Sequence, residues 1–143
     1  MVRRAAEAGH AGAQFQLATM YCTAQGVPRD LAEATMWYRR AATQGERIAQ
    51  YNLAVMLAKG EGVEPDQEEA LQWYEKAAEQ GVPEAQLALG DLYAMGRGVP
   101  ADPDEARRWF ELAASQGHSA AQPRLDALAR RQSRQPAGQN KGW

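Results

Sequence analysis

Apolar positions along this chain recur with a helical rhythm in two alternating kinds of segment. The first kind, helix A, has apolar residues at 17, 20, 21 and 24, then Leu53, Met56 and Leu57, then Leu89, Leu92 and Tyr93. That spacing predicts a helix with one buried face. The second kind, helix B, carries Ala34, Trp37, Tyr38, Ala41 and Ala42, at offsets of 0, 3, 4, 7 and 8 that trace one face of a second helix. The pair returns every 36 residues without insertion or deletion: Trp37, Trp73 and Trp109 mark helix B, and Gly26-Val27, Gly62-Val63 and Gly98-Val99 mark the turn before it. Ala13-Gln14 recurs as Ala49-Gln50, Ala85-Gln86 and Ala121-Gln122. Gln44-Gly45 recurs as Gln80-Gly81 and Gln116-Gly117.

Local chemistry predicts the ends of the helices. Asp30, Asp66 and Asp102 stand three residues before Glu33, Glu69 and Glu105, the aspartate form of a capping box at the start of helix B. Pro103 follows Asp102 at the helical position that tolerates proline. Gly45, Gly81 and Gly117 stop helix B. The turn after helix A reads GEGV and GRGV in the second and third units but AQGV in the first, which keeps only Gly26. Ala18, Ala54 and Gly90 share one helix A position and are expected to leave room for the tryptophans, so that Trp37, Trp73 and Trp109 are largely buried. A single pair could not cover its own apolar face, whereas stacked pairs can. The expected fold is therefore all-α, an α/α solenoid: a right-handed superhelix of antiparallel helix pairs in 36-residue repeats.

One repeat domain is expected over residues 1–131. It comprises a partial repeat at 1–9 (helix B), repeats at 13–45, 49–81 and 85–117, and a C-terminal capping helix at 119–131. MVRRAAEAGH aligns with WYRRAATQGE, so Met1 takes the tryptophan position and the chain starts inside a repeat. Either the start is trimmed or mis-set, or a half-repeat serves as an N-terminal cap. At the other end Asp126 and Ala129 replace Gly90 and Tyr93, which suits a cap with one solvated face. Residues 134–143 are polar, aperiodic and expected to be disordered, with Trp143 incidental.

The stretch AQLALGDLYAMGRGVPADPDEARRWFELAASQGH, residues 85–118, resembles the Sel-one-like repeats, relatives of the tetratricopeptide helical pairs. The resemblance covers about residues 1–129 and implies the same helical solenoid. In it, Trp37, Trp73, Trp109, Tyr21, Tyr93, Gly26, Gly62 and Gly98 hold packing positions. It further implies a protein-interaction scaffold or adaptor, in settings such as bacterial signalling, secretion or effector–immunity complexes. Some relatives are cysteine-rich and linked to β-lactam binding or hydrolysis. This chain has one cysteine, Cys22, so that activity does not carry over. A small-ligand or cell-wall-fragment binder or hydrolase is the rival reading.

Little else in the inventory points to chemistry. His10 and His118 recur after a helix B glycine with no second ligand near them, and the acidic run at 61–70 lacks the order of a calcium loop. There is no phosphate-loop, dinucleotide or nucleophile-elbow motif, so no catalytic residue, metal or cofactor is assigned and no enzyme is expected. A formal net charge of -2 argues against a nucleic-acid partner. With the tryptophans packed inward, Arg39 and Arg40 are expected on or beside the wet side of helix B. Arg124, Arg130, Arg131, Arg134 and Lys141 read as a solvated end rather than a polyanion site. No apolar run is long enough to span a membrane. The absence of a signal points to the cytoplasm, and a truncated N-terminus would leave the periplasm open.

Function then falls to surface shape. A tetratricopeptide-like arrangement implies a concave face lined by the A helices, where a protein or peptide partner would lie. Its first unit would present Phe15, Gln16, Thr19, Cys22 and Thr23. The second would present Tyr51, Asn52, Val55, Ala58 and Lys59, and the third Leu87, Ala88, Asp91, Ala94 and Met95. These positions vary between units while the packing positions do not. Phe15, Tyr51 and Leu87 form a ladder that either receives the partner or packs between neighbouring A helices.

Overall fold

Each helix B begins where an aspartate side chain replaces a missing backbone partner. The computed structural model describes residues 2–133. Within it, the Asp30, Asp66 and Asp102 carboxylates accept the backbone N–H of Glu33, Glu69 and Glu105 at 3.1, 3.0 and 3.2 Å. The reciprocal half of the box is not made. The aspartate amides instead donate nine residues back, to the carbonyls of Tyr21, Leu57 and Tyr93, and so fasten the turn to the preceding helix. The freed carboxylates of Glu33 and Glu69 accept the indole N–H of Trp37 and Trp73 at 3.3 and 3.0 Å.

Eight helices follow in order among the described residues: α1 Val2–Glu7, α2 Ala11–Thr23, α3 Leu31–Thr43, α4 Arg47–Lys59, α5 Gln67–Glu79, α6 Pro83–Met95, α7 Pro103–Ser115 and α8 Ala121–Ser133. No strand occurs among the described residues. The A helices α2, α4 and α6 start two residues earlier than the apolar pattern suggests. The two added residues of each are exposed or half-buried and carry no periodic signal; in α4 the Glu46 side chain caps the start, accepting the Ala49 N–H at 2.6 Å. Helix α8 starts two residues later than expected because a turn occupies Ser119 and Ala120, where the His118 imidazole Nδ1 accepts the Ala120 N–H at 3.2 Å. Met1 and the expected tail at 134–143, with Arg134, Lys141 and Trp143, lie outside the described residues.

Each A helix packs chiefly on the B helix after it and next on the B helix before it, giving a helical solenoid. The A helices end on a left-handed residue, Gly60 and Gly96 in two repeats and Ala24, at φ 58°, in the first. Ala24 is the one non-glycine residue with positive φ among those described, so the AQGV variant carries a local conformational cost. At Gly62 a Cβ would stand 2.2 Å from the Leu31 carbonyl oxygen, so the turn of one repeat closes on the helix B of the one before.

The tryptophans do not share one environment. Trp37 and Trp109 are 2% and 6% exposed, but Trp73 is only half-buried, short of the expected burial. A cation covers each ring: Arg40 over Trp37 at 4.7 Å, Lys76 over Trp73 at 4.8 Å and Arg108 over Trp109 at 4.4 Å. The residue facing Gly90 is also not the tryptophan. A Cβ there would lie 2.5 Å from the Phe110 ring, so the small helix A residue admits the second aromatic of helix B. Arg39 is not simply on the wet side, for it pairs with Glu69 across α3 and α5 and holds that carboxyl below its ordinary range. The next junction has Glu75 in the equivalent place, where burial and then Glu79 and Glu105 push its pKa up.

Buried glutamines join repeat to repeat. Gln14, Gln50 and Gln86 are each 4% exposed and donate Nε2 back to the carbonyls of Ala6, Ala42 and Ala78 at 3.0, 3.2 and 3.2 Å. Their Oε1 atoms accept from Gln44, Gln80 and Gln116 at 2.8, 2.8 and 3.0 Å. Gln80 and Gln116 reach further, to the Gly45 and Gly81 carbonyls at 3.0 and 2.8 Å. This ladder explains why Ala-Gln and Gln-Gly recur together. In α8 it stops, because Gln122 donates to Asp126 on its own helix at 3.1 Å.

These contacts set the expected cost of three kinds of substitution. Gln50→Leu removes two hydrogen bonds, although Gln80 keeps the Gly45 carbonyl and the Ala42 carbonyl keeps the Gly45 N–H, and should cost about 1 kcal/mol by urea denaturation. Gly90→Ala should cost about 1–3 kcal/mol, and Phe110→Leu in the same chain should recover part of the loss in a double-mutant cycle. Trp37→Ala and Trp109→Ala should each cost about 3–5 kcal/mol in thermal unfolding, with Trp73→Ala clearly cheaper because its ring is already part-solvated.

Candidate functional site

The A-helix face is built around the second aromatic of each helix B, at positions 38, 74 and 110. In the first repeat the Tyr38 ring packs on Phe15, centroids 5.9 Å apart, and its hydroxyl meets the Thr19 hydroxyl at 3.0 Å. The Cys22 and Asn52 side chains stand close enough to influence this hydroxyl, so three of the expected partner-facing side chains gather around one internal group. Burial raises the Cys22 thiol pKa, against small opposing effects of Tyr38 and Arg29, which leaves the thiol protonated and unreactive.

In the second repeat the Tyr74 ring packs on Tyr51 at 6.0 Å. Its hydroxyl pKa is pushed up to about 12, by burial first and then by Tyr51. The positions equivalent to Thr19, Cys22 and Asn52 are Val55, Ala58 and Ala88. These cannot reach the hydroxyl with a polar atom, and the space they leave is a cavity of about 530 Å³ that also includes Gln67, Asp91 and Arg97. In the third repeat the aromatic is Phe110, and Asp91 pairs across to Arg124 at 2.8 Å.

Shallower depressions continue along the A helices on either side. One of about 620 Å³ holds Phe15, Gln16 and Thr19, and one of about 270 Å³ holds Asp91, Ala94, Met95 and Arg124. A third, about 290 Å³, brings Tyr51 and Asp91 together with Glu84 and His118, whose Nε2 lies 4.0 Å from the Glu84 carboxylate.

The expected residues divide into three groups. Gln16, Thr23, Lys59 and Met95 are exposed, Met95 most among the large apolar residues at 58%. Thr19, Asn52, Val55 and Asp91 are half-buried, as are Phe15 and Tyr51. Leu87 is 6% exposed and packs in the core with Phe110, while it still lines the depression of about 290 Å³ beside Tyr51 and Asp91. In the ladder, Phe15 and Tyr51 therefore pack against the second aromatic of the following helix B, and Leu87 joins Phe110 in the core.

Arg97, Gln67, Glu84, His118 and Arg124 join the face, although the helical spacing did not assign them to it. Arg97 stands at a turn position that varies between units, Gln25 in the first and Glu61 in the second, the one signal that could have revealed it. Tyr21 is buried and Tyr93 half-buried, while Gly26, Gly62 and Gly98 all take positive φ. No group of three or more histidine, cysteine, aspartate or glutamate side chains among the described residues is placed to hold a metal ion. No helix of the described residues is long and apolar enough to cross a membrane.

Comparison with known proteins places this arrangement. The chain is similar to a protective antigen present in uropathogenic Escherichia coli strains that displays an SLR fold, with 42% identity and a TM-score of 0.88. The match covers 91% of this chain but only 28% of the antigen's. It is also similar to a Sel1 repeat protein from Oxalobacter formigenes, with 40% identity over 88% of this chain and 95% of that one, TM-score 0.81. Helicobacter pylori cysteine rich protein B shares the fold at 21% identity, covering 87% of this chain and 94% of that one, TM-score 0.67. No curated protein matches the chain. Such repeats are in general non-catalytic scaffolds, commonly for protein interaction. The Sel1 repeat model matches residues 11–46, 47–82 and 83–118, each an A helix with the B helix that follows, and the chain belongs to the Sel1 repeat family.

Proposed function

We propose that this protein is a non-enzymatic scaffold or adaptor that holds a peptide or protein partner along the A-helix face. The observation that supports this most directly is a contrast within one chain. Positions that pack between helices, such as Leu17, Leu53 and Leu89, repeat without change, whereas Thr19, Val55 and Asp91, two residues on, differ in every unit. Packing holds one set and leaves the other to be chosen for recognition. Depressions run along that variable face through α2, α4 and α6, with exposed Met95 and Lys59 beside them. A row of shallow, mixed polar and apolar sites suits an extended partner better than a single small molecule. The near-balanced charge favours a protein over a nucleic acid. The family resemblance would set such an adaptor in a bacterial signalling, secretion or effector–immunity complex.

Affinity capture from a bacterial lysate followed by binding measurements on the purified partner tests the reading. Lys59→Glu and Met95→Glu change exposed side chains that carry no packing, so helicity and melting temperature should stay unchanged. Each should weaken a groove-bound partner by about tenfold or more. A stoichiometric partner indifferent to both changes would remove the A-helix face as the binding surface.

A further inference from the structure

Equivalent positions in the first two repeats surround the second aromatic of helix B with larger polar side chains in one case and alanines in the other. In the first, Thr19 hydrogen-bonds the Tyr38 hydroxyl, and Cys22 and Asn52 stand beside it. In the second, Ala58 and Ala88 take the places of Cys22 of α2 and Asn52 of α4. Tyr74 is as deeply set as a core residue, 8% exposed, yet no side-chain hydrogen bond reaches its hydroxyl among the described residues. Its hydroxyl is therefore open to solvent in a cavity of about 530 Å³ that Tyr74 lines, where a bound group can replace water as its acceptor or donor.

The charge around the cavity selects between them. At the first repeat the wall residue one turn beyond helix A is Glu61, close enough to raise the Cys22 pKa. Its equivalent in the second repeat is Arg97, so the sign of that wall is reversed. None of the ion pairs among the described residues uses Arg97. The one carboxylate in the cavity, Asp91, is already matched by Arg124 at 2.8 Å. What remains is one unmatched positive charge and a phenol that stays protonated throughout the physiological range and can donate.

We propose that the cavity between α4, α5 and α6 is a specificity pocket for an acidic side chain of the partner, whose carboxylate accepts from the Tyr74 hydroxyl and pairs with Arg97. The cavity walls of Ala58 and Ala88 admit the methylene stem. The pocket deepens the scaffold reading, on which it rests for the partner being a peptide. It also explains why the second repeat alone keeps a tyrosine with no internal partner: the first repeat satisfies its own, and the third dispenses with the hydroxyl.

The test uses two small probes that need no partner to be known. The full chain, labelled with nitrogen-15, is titrated with N-acetylglutamic acid α-amide and separately with N-acetylglutaminamide, which differ only in side-chain charge and donor pattern. The glutamate probe should produce saturable amide shifts at Ala58, Ala88 and Arg97 and leave Thr19 and Cys22 unmoved. The glutamine probe should bind about tenfold more weakly, and Tyr74→Phe and Arg97→Gln should each weaken the glutamate probe by about tenfold. Tyr74→Phe keeps the fold, since Phe110 occupies the same place in the third repeat. Ala88→Asn puts at Tyr74 the side chain that stands beside Tyr38, fills part of the cavity, and should abolish binding while holding or raising the melting temperature. Equal binding of the two probes, no saturable shift, or full affinity in any of the three variants would overturn the assignment. A captured partner that tolerates all three variants but not Met95→Glu would refute the pocket and leave the scaffold standing.

Discussion

Solenoid architecture here depends on a buried amide that cannot be left unpaired. Each helix A glutamine gives its N–H to a carbonyl at the end of the previous helix B and takes an N–H from the glutamine that ends its own repeat. A buried amide costs free energy unless it is bonded, so the junction has one acceptable geometry and the same rotation is imposed at every step. Apolar packing alone would tolerate sliding of alanine-rich helices. The ladder removes that freedom, and the aromatic pair of helix B can then occupy a fixed gap on the neighbouring helix A.

With the junctions set, the two aromatics of helix B have separate duties. The tryptophan lies toward the solvent-facing side, covered by a cation of its own helix and, in two repeats, tied to the capping glutamate. Arginine beside aromatic therefore marks a stacked cover over a packing residue, and no nucleic-acid platform is needed to explain it. The following tyrosine or phenylalanine points to the other side and meets helix A. Whatever the A-helix face offers a partner is arranged around that ring, and its hydroxyl is satisfied, open or missing in successive repeats.

Much of this is legible in the order of residues along the chain. The 36-residue period, the helix pairs, the aspartate caps and the glycine stops all come from contacts three or four residues apart, which a linear sequence records completely. The glutamines are visible as markers without a role, because their partners are 8 and 30 residues away. The capping boxes are legible only by half for a related reason: the aspartate contact is local, while the glutamate is free to choose an indole one turn on. The burial of Leu87 escapes the pattern because its depth depends on Gly90 and on a phenylalanine 23 residues later, and the helical register alone says nothing of either.

Periodicity and local capping chemistry thus determine from sequence alone that this is a stack of helix pairs, and determine which side of each helix packs. Tertiary structure decides which positions on the other side are open. That outcome turns on the sizes of side chains brought together from three helices: alanines at 58 and 88 line a cavity at Tyr74, where the equivalent places at Tyr38 hold the larger Cys22 and Asn52. Local spacing places each of these residues on its own helix. Only the junction between helices determines whether they meet.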